Sequence, residues 1–297
     1  MSSSEIPVDW QGLISEYELE DAKPHLIGEG WCSRCYRLTN DVVVKIPKAS
    51  DGWLEVWKEA RTVDFIAQDI DDVRLPTPIV GSANQFSPNG FFAARFVDGV
   101  PWGSTGNNDA SGLAVAQTLG RSLRRIHGLT PTSELSRLLP HDDHVTEYAG
   151  LEDEAMRRIR HRLGASFMNT VSMEVNRIVR SDHMTNFAPS LVHADLSSEH
   201  ILVSASETPA VGIIDWGDAA MGDPDRDFLH LWLDFGEVFL QECLTAYGHS
   251  SAAGELIPKL RDMELLGTLY EIVYAGEHGL PGDEDGSWDD LEDWFSR

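Results

Sequence analysis

The chain has 297 residues, which is enough for one large domain or for two lobes with a sizeable core. It carries 23 Lys and Arg side chains against 49 Asp and Glu side chains, and its formal net charge is −26. Such a balance repels nucleic acid and anionic membranes, so we expect neither as a partner, and it would attract a cationic ligand. Solubility or salt adaptation of the source organism would produce the same balance, and charge alone does not separate these interpretations.

Apolar runs and cysteines indicate the class of protein. Hydrophobic residues make up 42% of the chain, but no apolar run approaches the ~18 residues of a membrane span. Residues 1–13 lack a basic patch followed by an apolar stretch, so we expect no signal peptide. Three cysteines cannot all pair, which favours a reduced, cytoplasmic protein. Cys32 and Cys35 have the Cys-x-x-Cys spacing of some metal and redox sites, but no second ligand pair accompanies them.

The first hundred residues are predicted to form a β-rich region with one long helix. β-branched residues favour strands, and Pro47 ends the most regular of these runs. In chain order, the predicted elements are a helix over Trp10–Tyr17, a strand, glycine turn and strand over Leu26–Leu38, a strand over Asp41–Ile46, a helix over Trp53–Gln68, and strands around Pro78–Gly81 and Phe91–Val97.

After Pro101 the pattern becomes mainly helical, with apolar residues spaced three or four positions apart. The predicted helices are one that ends near His127, then Glu152–Leu163, Val171–Arg180, Arg226–Tyr247 and Leu256–Ala275, followed by the acidic tail Gly282–Arg297, which is either a short last helix over the substrate side or a frayed end. We therefore predict an α+β protein with an N-terminal lobe at 1–97, a hinge at 98–101 and a C-terminal lobe at 102–297.

Two apolar segments with embedded acids carry the strongest functional signal. Leu191–Val203 reads LVHADLSSEHILV, and Val211–Ala219 reads VGIIDWGDA. Asp195 lies five residues before His200 and twenty before Asp215. This spacing is typical of a catalytic-base loop followed by a metal-holding strand end in kinase-type phosphoryl transfer.

These segments resemble the catalytic core of the aminoglycoside phosphotransferase superfamily, the small-molecule relatives of the protein kinases. That superfamily carries His-x-Asp-x-x-x-x-Asn and then an Asp in an Ile-Asp-Trp/Phe-Gly context, which His193, Asp195, Asp215 and Gly217 match. The chain departs at His200, where Asn is usual and macrolide kinases carry His. The Ser-Ser-acid run at 197–199 is similar to the subgroup that phosphorylates the 2″-hydroxyl of aminoglycosides. The resemblance covers 26–228 and implies a protein-kinase-like, two-lobed fold with a small β-rich N-lobe and a larger, mainly helical C-lobe.

Within this resemblance, Asp195 is the predicted catalytic base, although an Asp at this point could also cap the next turn. Asp215 is the predicted main Mg²⁺ ligand, because a carboxylate inside an apolar run is costly unless it is paired. His200 occupies the second metal position; it could ligate Mg²⁺, bind a water or phosphate oxygen, or be structural. We expect His193 to brace the loop and Asp218 to bind the loop or reach a second metal indirectly.

The N-terminal lobe supplies the predicted nucleotide site. Lys45 ends a run of valines and is expected to reach the α/β-phosphates and pair with Glu59 on the next helix. Glu55 and Lys48 are the alternatives for that pair. Gly28 and Gly30 would let the backbone approach the phosphates, and Ser33 could donate from the loop tip. The nucleobase is expected to contact backbone groups of the hinge segment, Arg95, Phe96 and Val97, so the sequence leaves ATP and GTP both open.

Substrate selection is predicted to come from the segments after Gly222. Asp227 is expected to lock the catalytic loop through buried hydrogen bonds. The acids proposed to bind ammonium groups are Asp234, Glu237, Glu271 and Glu277. Trp232 and Trp288 could stack on a substrate, but core packing is the preferred interpretation.

The hypothesis from the sequence is an Mg²⁺-dependent kinase that transfers the γ-phosphate of ATP or GTP to a hydroxyl of a cationic antibiotic, foremost an aminoglycoside, in antibiotic resistance. The first alternative keeps the reaction and changes the acceptor to a macrolide or a small metabolite. The second is a nucleotide-binding pseudokinase, motivated by His200 in place of Asn. The sequence does not indicate an oligomeric state.

Overall fold

A five-stranded antiparallel sheet forms the N-terminal part of the protein in the computed structural model. Its strands, in the spatial order β1-β2-β3-β5-β4, are β1 (His25–Glu29), β2 (Ser33–Arg37), β3 (Val42–Pro47), β5 (Phe91–Arg95) and β4 (Pro78–Ser82). The structure describes residues 8–18, 22–30, 32–49, 52–82, 87–104, 110–204, 210–278 and 281–296. The β-branched run of β3 is the central strand, as its composition favours. Residues 1–7, which bear part of the signal-peptide expectation, lie outside the described residues.

Two helices cover this sheet. Helix α1 (Trp10–Glu16) begins at Asp9, whose carboxylate accepts a hydrogen bond from the amide of Gly12. Helix α2 (Trp53–Ile66) buries Val56 and Ala60 against β5. Because of this packing, the face of α2 that carries Glu59 lies against β3, the strand that carries Lys45.

The C-terminal part is mainly helical, as predicted. Its helices are α3 (Ala110–His127), α4 (His144–Ala149), α5 (Glu152–Ile178), α6 (Asp182–Thr185), α7 (Leu229–Tyr247), α8 (Ala253–His278) and α9 (Pro281–Ser296). Helices α3 and α7 approach so closely that a Cβ on Gly120 would lie 2.2 Å from the carbonyl oxygen of Cys243. Leu119, Leu123 and Leu240 are fully buried in the main core cluster.

Two small sheets hold the segments that carry the sequence motif. One has the order β10-β9-β6, with β10 (Val211–Ile213), β9 (Ile201–Val203) and β6 (Val100–Pro101); the other has the order β7-β11-β8, with β7 (His141–Asp142), β11 (Ala220–Gly222) and β8 (Ser190–Val192). Asp195 follows β8, and Asp215 follows β10. Both acids therefore lie just beyond short buried strands, in loops whose ends are fixed by pairing.

One predicted helix break is present, and other helix boundaries differ from the predictions. Between the segments predicted as separate helices, Glu152–Leu163 and Val171–Arg180, α5 is broken by a kink at Gly164, where φ is 87° and ψ is 168°. Helix α7 begins at Leu229, because Pro224–Phe228 forms a 3₁₀ turn. The tail forms α9, a helix of 16 residues with Trp288, Leu291 and Trp294 buried, so it is not frayed over the residues described.

Among the residues that the structure describes, none of the helices is both long and apolar enough to cross a membrane. The fold class is confirmed as α+β, with a sheet-rich N-terminal region and a larger helical C-terminal region. The boundaries at 97 and 101 stay predictions. Within that predicted hinge, Gly99 has φ 148°, and Val100 pairs with Val203 of β9.

Candidate active site

The loop that carries Asp195 is held by a buried carboxylate. Asp227, which is 1% exposed, accepts hydrogen bonds from the amides of His193 at 2.9 Å and Ala194 at 2.8 Å. Its third partner is His127, whose Nε2 lies 3.0 Å from the same carboxylate. Ala194 has φ 71°, a left-handed conformation that L residues seldom adopt. Asp227 therefore stabilises a strained turn directly before Asp195, in the role the sequence suggested.

His193 braces this loop from the other side. Its ring is buried beside Trp216, with 4.6 Å between ring centroids. Nε2 lies 3.0 Å from the carbonyl oxygen of Ile214, and Nδ1 accepts from the amide of Asp195 at 3.3 Å. Because the carbonyl can only accept, Nε2 carries the proton. His193 thus connects the Asp195 loop to the residue before Asp215.

The Asp195 carboxylate points into an accessible space, with 38% of its side chain exposed. Histidines flank its two oxygens: His200 Nδ1 is 3.5 Å from Oδ2, and His230 Nε2 is 3.7 Å from Oδ1. Neither distance is that of a hydrogen bond. An exposed carboxylate on a rigid loop is suited to accepting a proton from a substrate hydroxyl.

Lys45 joins the two parts of the site. Its Nζ lies 2.6 Å from Glu59 Oε2 and 2.7 Å from Asp215 Oδ1. The alternatives are excluded by geometry, because Lys48 pairs with Glu29 and Glu55 pairs with Lys58. The Lys45–Glu59 pair that the spacing predicted is therefore present in the structure.

The charges in this triad perturb one another. Burial raises the pKa of Asp215, but the Lys45 ammonium outweighs it and lowers the pKa to about 2. Burial lowers the pKa of Lys45, and the charges of Glu59 and Asp215 raise it well above its ordinary value. Burial raises the pKa of Glu59 against the attraction of Lys45. At neutral pH the site therefore holds a permanent ammonium and an ionised Asp215 carboxylate.

The residues around Asp215 fit a magnesium ion that is completed by phosphate oxygens. Within the described ranges, no group of three His, Cys, Asp or Glu side chains could hold a metal by itself. Mg²⁺ in phosphate sites uses one or two protein carboxylates, and the Asp215 side chain is 44% exposed. His200 Nδ1 lies 2.7 Å from the Asp195 carbonyl oxygen, to which it must donate. Its Nε2 is then an acceptor in the neutral ring, 3.9 Å from Asp215 Oδ2.

The predicted phosphate loop is the hairpin between β1 and β2. Gly28 pairs with Cys35, and the amide of Gly30 donates to the carbonyl of Ser33 at 3.0 Å. Neither glycine has a positive φ, and a Cβ on Gly30 would meet nothing within 4 Å. Ser33 is only 7% exposed, so its hydroxyl is not presented at an open loop tip. The backbone at these glycines is sterically open, and its contact with phosphate stays a prediction.

Two backbone amides of the predicted nucleobase-binding segment already donate hydrogen bonds within the protein. The amide of Arg95 donates to Thr77 at 2.9 Å, and the amide of Phe96 donates to Asp41 at 2.9 Å. These two N–H groups therefore do not serve a nucleobase. Val97 is buried and would lie 2.4 Å from a Cβ on Gly212. A nucleobase at this segment would have to bind backbone groups other than the amides of Arg95 and Phe96, and the predicted contact stays a prediction.

The four predicted substrate acids have different surroundings. Asp234 reaches the catalytic loop, where its Oδ2 accepts from the amide of Ser198 at 2.7 Å. Glu271 instead accepts from Ser287 at 3.2 Å, at the contact between α8 and α9. Glu237 and Glu277 are exposed on α7 and α8. Trp232 and Trp288 pack with the main core, in agreement with the preferred interpretation.

Several residues near the site were not predicted to belong to it. His230, in the first turn of α7, faces Asp195. Arg226 donates to the carbonyl of Ala194 at 2.9 Å and pairs with Asp142 at 2.6 Å. Cys35 lies opposite Lys45 in the sheet, and burial raises the pKa of its thiol to about 11. Of these residues, His230 could have been suspected from the sequence, because it lies three residues after Asp227 of the motif.

Comparison with known proteins identifies the same region. A family model described as "Phosphotransferase enzyme family" matches residues 24–266. A curated relative, the uncharacterised protein YcbJ of Bacillus subtilis strain 168, is 26% identical over 150 residues. That match covers 49% of this chain and 46% of YcbJ, so it spans less than half of each protein.

Solved structures share the complete fold. The GDP and kanamycin complex of APH(2″)-IIIa superposes with a TM-score of 0.85 at 21% identity, covering 96% of this chain and 97% of that one. The macrolide 2′-phosphotransferase MphH from Brachybacterium faecium superposes with a TM-score of 0.68 at 17% identity, covering 95% and 97%. At these sequence identities, the structural similarity establishes that this protein shares their fold.

Proposed function

Because the chain belongs to the phosphotransferase enzyme family, we propose that it transfers the γ-phosphate of ATP or GTP to a hydroxyl of a small cationic molecule, with an aminoglycoside as the leading acceptor. One observation carries this proposal: Lys45 of the N-terminal sheet contacts Asp215, and His200 lies between Asp215 and the partly exposed Asp195, so all of them belong to one site. The free thiols of the three cysteines are typical of a cytoplasmic protein, and we place the activity there.

Asp195 acts on the acceptor. Its exposed carboxylate accepts the proton of the substrate hydroxyl while the hydroxyl oxygen attacks the γ-phosphorus. The bond between the γ-phosphorus and the bridging oxygen breaks, and the nucleoside diphosphate leaves with that electron pair. The hydrogen bonds that Asp227 accepts from the amides of His193 and Ala194 keep Asp195 in one orientation through this step.

Lys45 acts on the donor. Its ammonium, oriented by Glu59, can leave Asp215 and bind the α/β-phosphates without crossing the site. Asp215 and His200 would hold Mg²⁺, which neutralises phosphate charge when bound. The fixed tautomer of His200 supports this role, because its acceptor nitrogen faces Asp215.

A cationic acceptor is favoured by the charge of the site. Burial and the nearby charges of Asp195 and Asp215 raise the pKa of Asp218, so three carboxylates share one electrostatic environment. The chain as a whole carries −26, which adds to the attraction of a polycation. APH(2″)-IIIa, with the higher TM-score, is described in complex with kanamycin, which supports an aminoglycoside for this chain too.

A macrolide or an amino-alcohol metabolite is the second candidate, supported by His200 and by the likeness to MphH. The pseudokinase hypothesis is disfavoured because Lys45, Asp195 and Asp215 are all present and correctly grouped.

The test is a coupled nucleotide-turnover assay with Mg²⁺, using ATP and GTP against aminoglycosides, macrolides and simple amino-alcohols. We expect saturable turnover with an aminoglycoside. Asp195→Asn should lower kcat by orders of magnitude and leave nucleotide affinity nearly intact, because Asp195 touches the acceptor and not the donor. Turnover with macrolides alone would reassign the acceptor. Nucleotide binding without transfer to any acceptor would contradict the proposal.

A further inference from the structure

His230 faces Oδ1 of Asp195, whereas His200 faces the other carboxylate oxygen, Oδ2. It lies in the first turn of α7, and its Nε2 is 3.7 Å from Asp195 Oδ1. About a third of its side chain is exposed, at 34%, so the ring borders the same accessible space as the carboxylate. The reaction described above assigns it no role.

The protonation state of His230 follows from its surroundings. Burial lowers its pKa, although the charges of Asp195 and Asp234 act in the opposite direction, so the ring is neutral at neutral pH. A neutral imidazole has one N–H and one acceptor nitrogen. An ionised carboxylate only accepts hydrogen bonds. The negative charge of Asp195 beside Nε2 therefore favours the tautomer of His230 that carries its proton on Nε2.

The distance between Asp195 Oδ1 and His230 Nε2 is the one expected when both atoms bind a single oxygen atom placed between them. It is too long for a direct hydrogen bond. Two hydrogen bonds of ~2.8 Å that meet at one oxygen at roughly a right angle leave their outer atoms about 4 Å apart. One hydroxyl oxygen therefore fits between Asp195 Oδ1 and His230 Nε2, donating to the first and accepting from the second.

We propose that His230 is a catalytic residue that binds the acceptor hydroxyl, donating a hydrogen bond from Nε2 to its oxygen while Asp195 takes its proton. This inference rests on the proposed function. One lone pair of the hydroxyl oxygen accepts from His230, and the other forms the bond to the γ-phosphorus. The proton passes to Asp195 Oδ1, the bridging P–O bond breaks toward the nucleoside diphosphate, and His230 keeps its proton.

This arrangement defines where the hydroxyl is held. With Asp195 alone, the O–H group could rotate about its single hydrogen bond. A second contact at roughly a right angle to the first fixes the direction of the remaining lone pair, which is the geometric condition for in-line attack. The helix supports this placement, because Asp234, one turn further along α7, is bound to the amide of Ser198 and so fixes α7 to the catalytic loop.

The experiment compares His230→Ala, His230→Gln and the control His161→Ala, an exposed histidine on α5. We measure acceptor and donor steady-state kinetics, nucleotide Kd, and the slow nucleotide hydrolysis in which water replaces the acceptor. Loss of one hydrogen bond to the reacting oxygen should lower kcat/KM for the acceptor roughly 10- to 100-fold in His230→Ala. His230→Gln, whose amide can place an N–H near the Nε2 position, should recover part of that loss. Nucleotide Kd and the thermal midpoint should stay at the wild-type values.

Each outcome decides the inference. Acceptor kinetics of His230→Ala equal to those of wild type and of His161→Ala would overturn the role of His230 while leaving the kinase intact. An equal fall for Ala and Gln, accompanied by a lower Tm, would make His230 structural and would also overturn it. A wild-type protein that neither phosphorylates any acceptor nor hydrolyses nucleotide would overturn the proposed function, and His230 with it.

Discussion

Lys45 donates a hydrogen bond of 2.7 Å to Asp215, a residue 170 positions further along the chain. The same ammonium lies 2.6 Å from Glu59, which is 3% exposed. The N-terminal sheet and the segment after β10 are therefore connected by one cation with two carboxylate partners. The proposed function gives this same side chain a second task, because Lys45 would also bind the phosphates of the nucleotide.

Lys45→Met should destabilise the protein most at neutral and alkaline pH. Breaking a buried pair costs about 3–5 kcal/mol when the remaining charge has no partner. The folded pKa of Glu59 is raised above its ordinary 4.5, and the substitution raises it further. Stability from such a group is fully present below the unfolded pKa and is lost as pH rises through the folded pKa. We therefore expect the unfolding free energy of the variant to fall, relative to wild type, as pH rises above 4.5 toward the raised pKa of Glu59.

The matched control is the double variant Lys45→Met/Glu59→Gln, which removes the buried charge. Its denaturation midpoint should lose the extra pH dependence. If the single and double variants show the same profile over this range, Glu59 is not the titrating group.

His200→Ala should raise the Mg²⁺ concentration needed for half-maximal activity about tenfold or more. His200→Asn should preserve the wild-type requirement more closely, since an amide oxygen is a good ligand for a hard cation. The measurement is initial rate against free Mg²⁺ at saturating nucleotide. An unchanged Mg²⁺ requirement in His200→Ala would limit His200 to a structural role.

Asp227→Ala should loosen the catalytic loop. The substitution leaves the buried amides of His193 and Ala194 without an acceptor, at a cost of about 1–3 kcal/mol for each. We expect a lower denaturant midpoint and faster hydrogen exchange at those two amides, together with a lower kcat. Asp227→Asn keeps one carbonyl acceptor and should give intermediate values. Slow exchange at both amides in Asp227→Ala would show that other contacts hold the turn.

Ala194→Gly should stabilise the protein or leave its stability unchanged. Ala194 has φ 71°, where a Cβ costs roughly 1 kcal/mol or more that glycine does not incur. The control Ala93→Gly, in the buried strand β5, should destabilise by at least about 0.5 kcal/mol. Chemical unfolding of both variants tests the contrast, and equal losses would show that Ala194 carries no conformational strain.

Gly120→Ala should separate α3 from α7. The added Cβ would lie 2.2 Å from the backbone oxygen of Cys243, which cannot rotate away, so we expect a loss of about 1–3 kcal/mol or more. Gly267→Ala, on α8 with nothing within 4 Å of the new Cβ, should stabilise by about 0.4–1 kcal/mol instead. A thermal-denaturation comparison is sufficient, and two shifts of the same sign would contradict the helix-approach argument.

The sequence predicted the parts of the site that local patterns determine. Asp195 and Asp215 follow apolar runs, and the partner of Lys45 could be found because a strand and the next helix have a short, regular separation. His230 and Arg226 were not predicted, since a contact between helix and loop leaves no periodic signal. Strands β7 and β11 were missed because two or three residues are too few to show alternation. The break in α5 was predictable, because Gly164 favours a helix end and the backbone leaves the helical conformation there.

Helix α9 has a consequence for recombinant work on this protein. Its side chains Trp288 and Leu291 are buried, and the indole of Trp294 donates to the carbonyl of Arg261 at 2.9 Å. A version shortened before Pro281 would leave the matching surface of α8 open to water, which invites aggregation. An affinity tag placed beyond Ser296 would leave these contacts in place, so purification from that side is compatible with an intact fold.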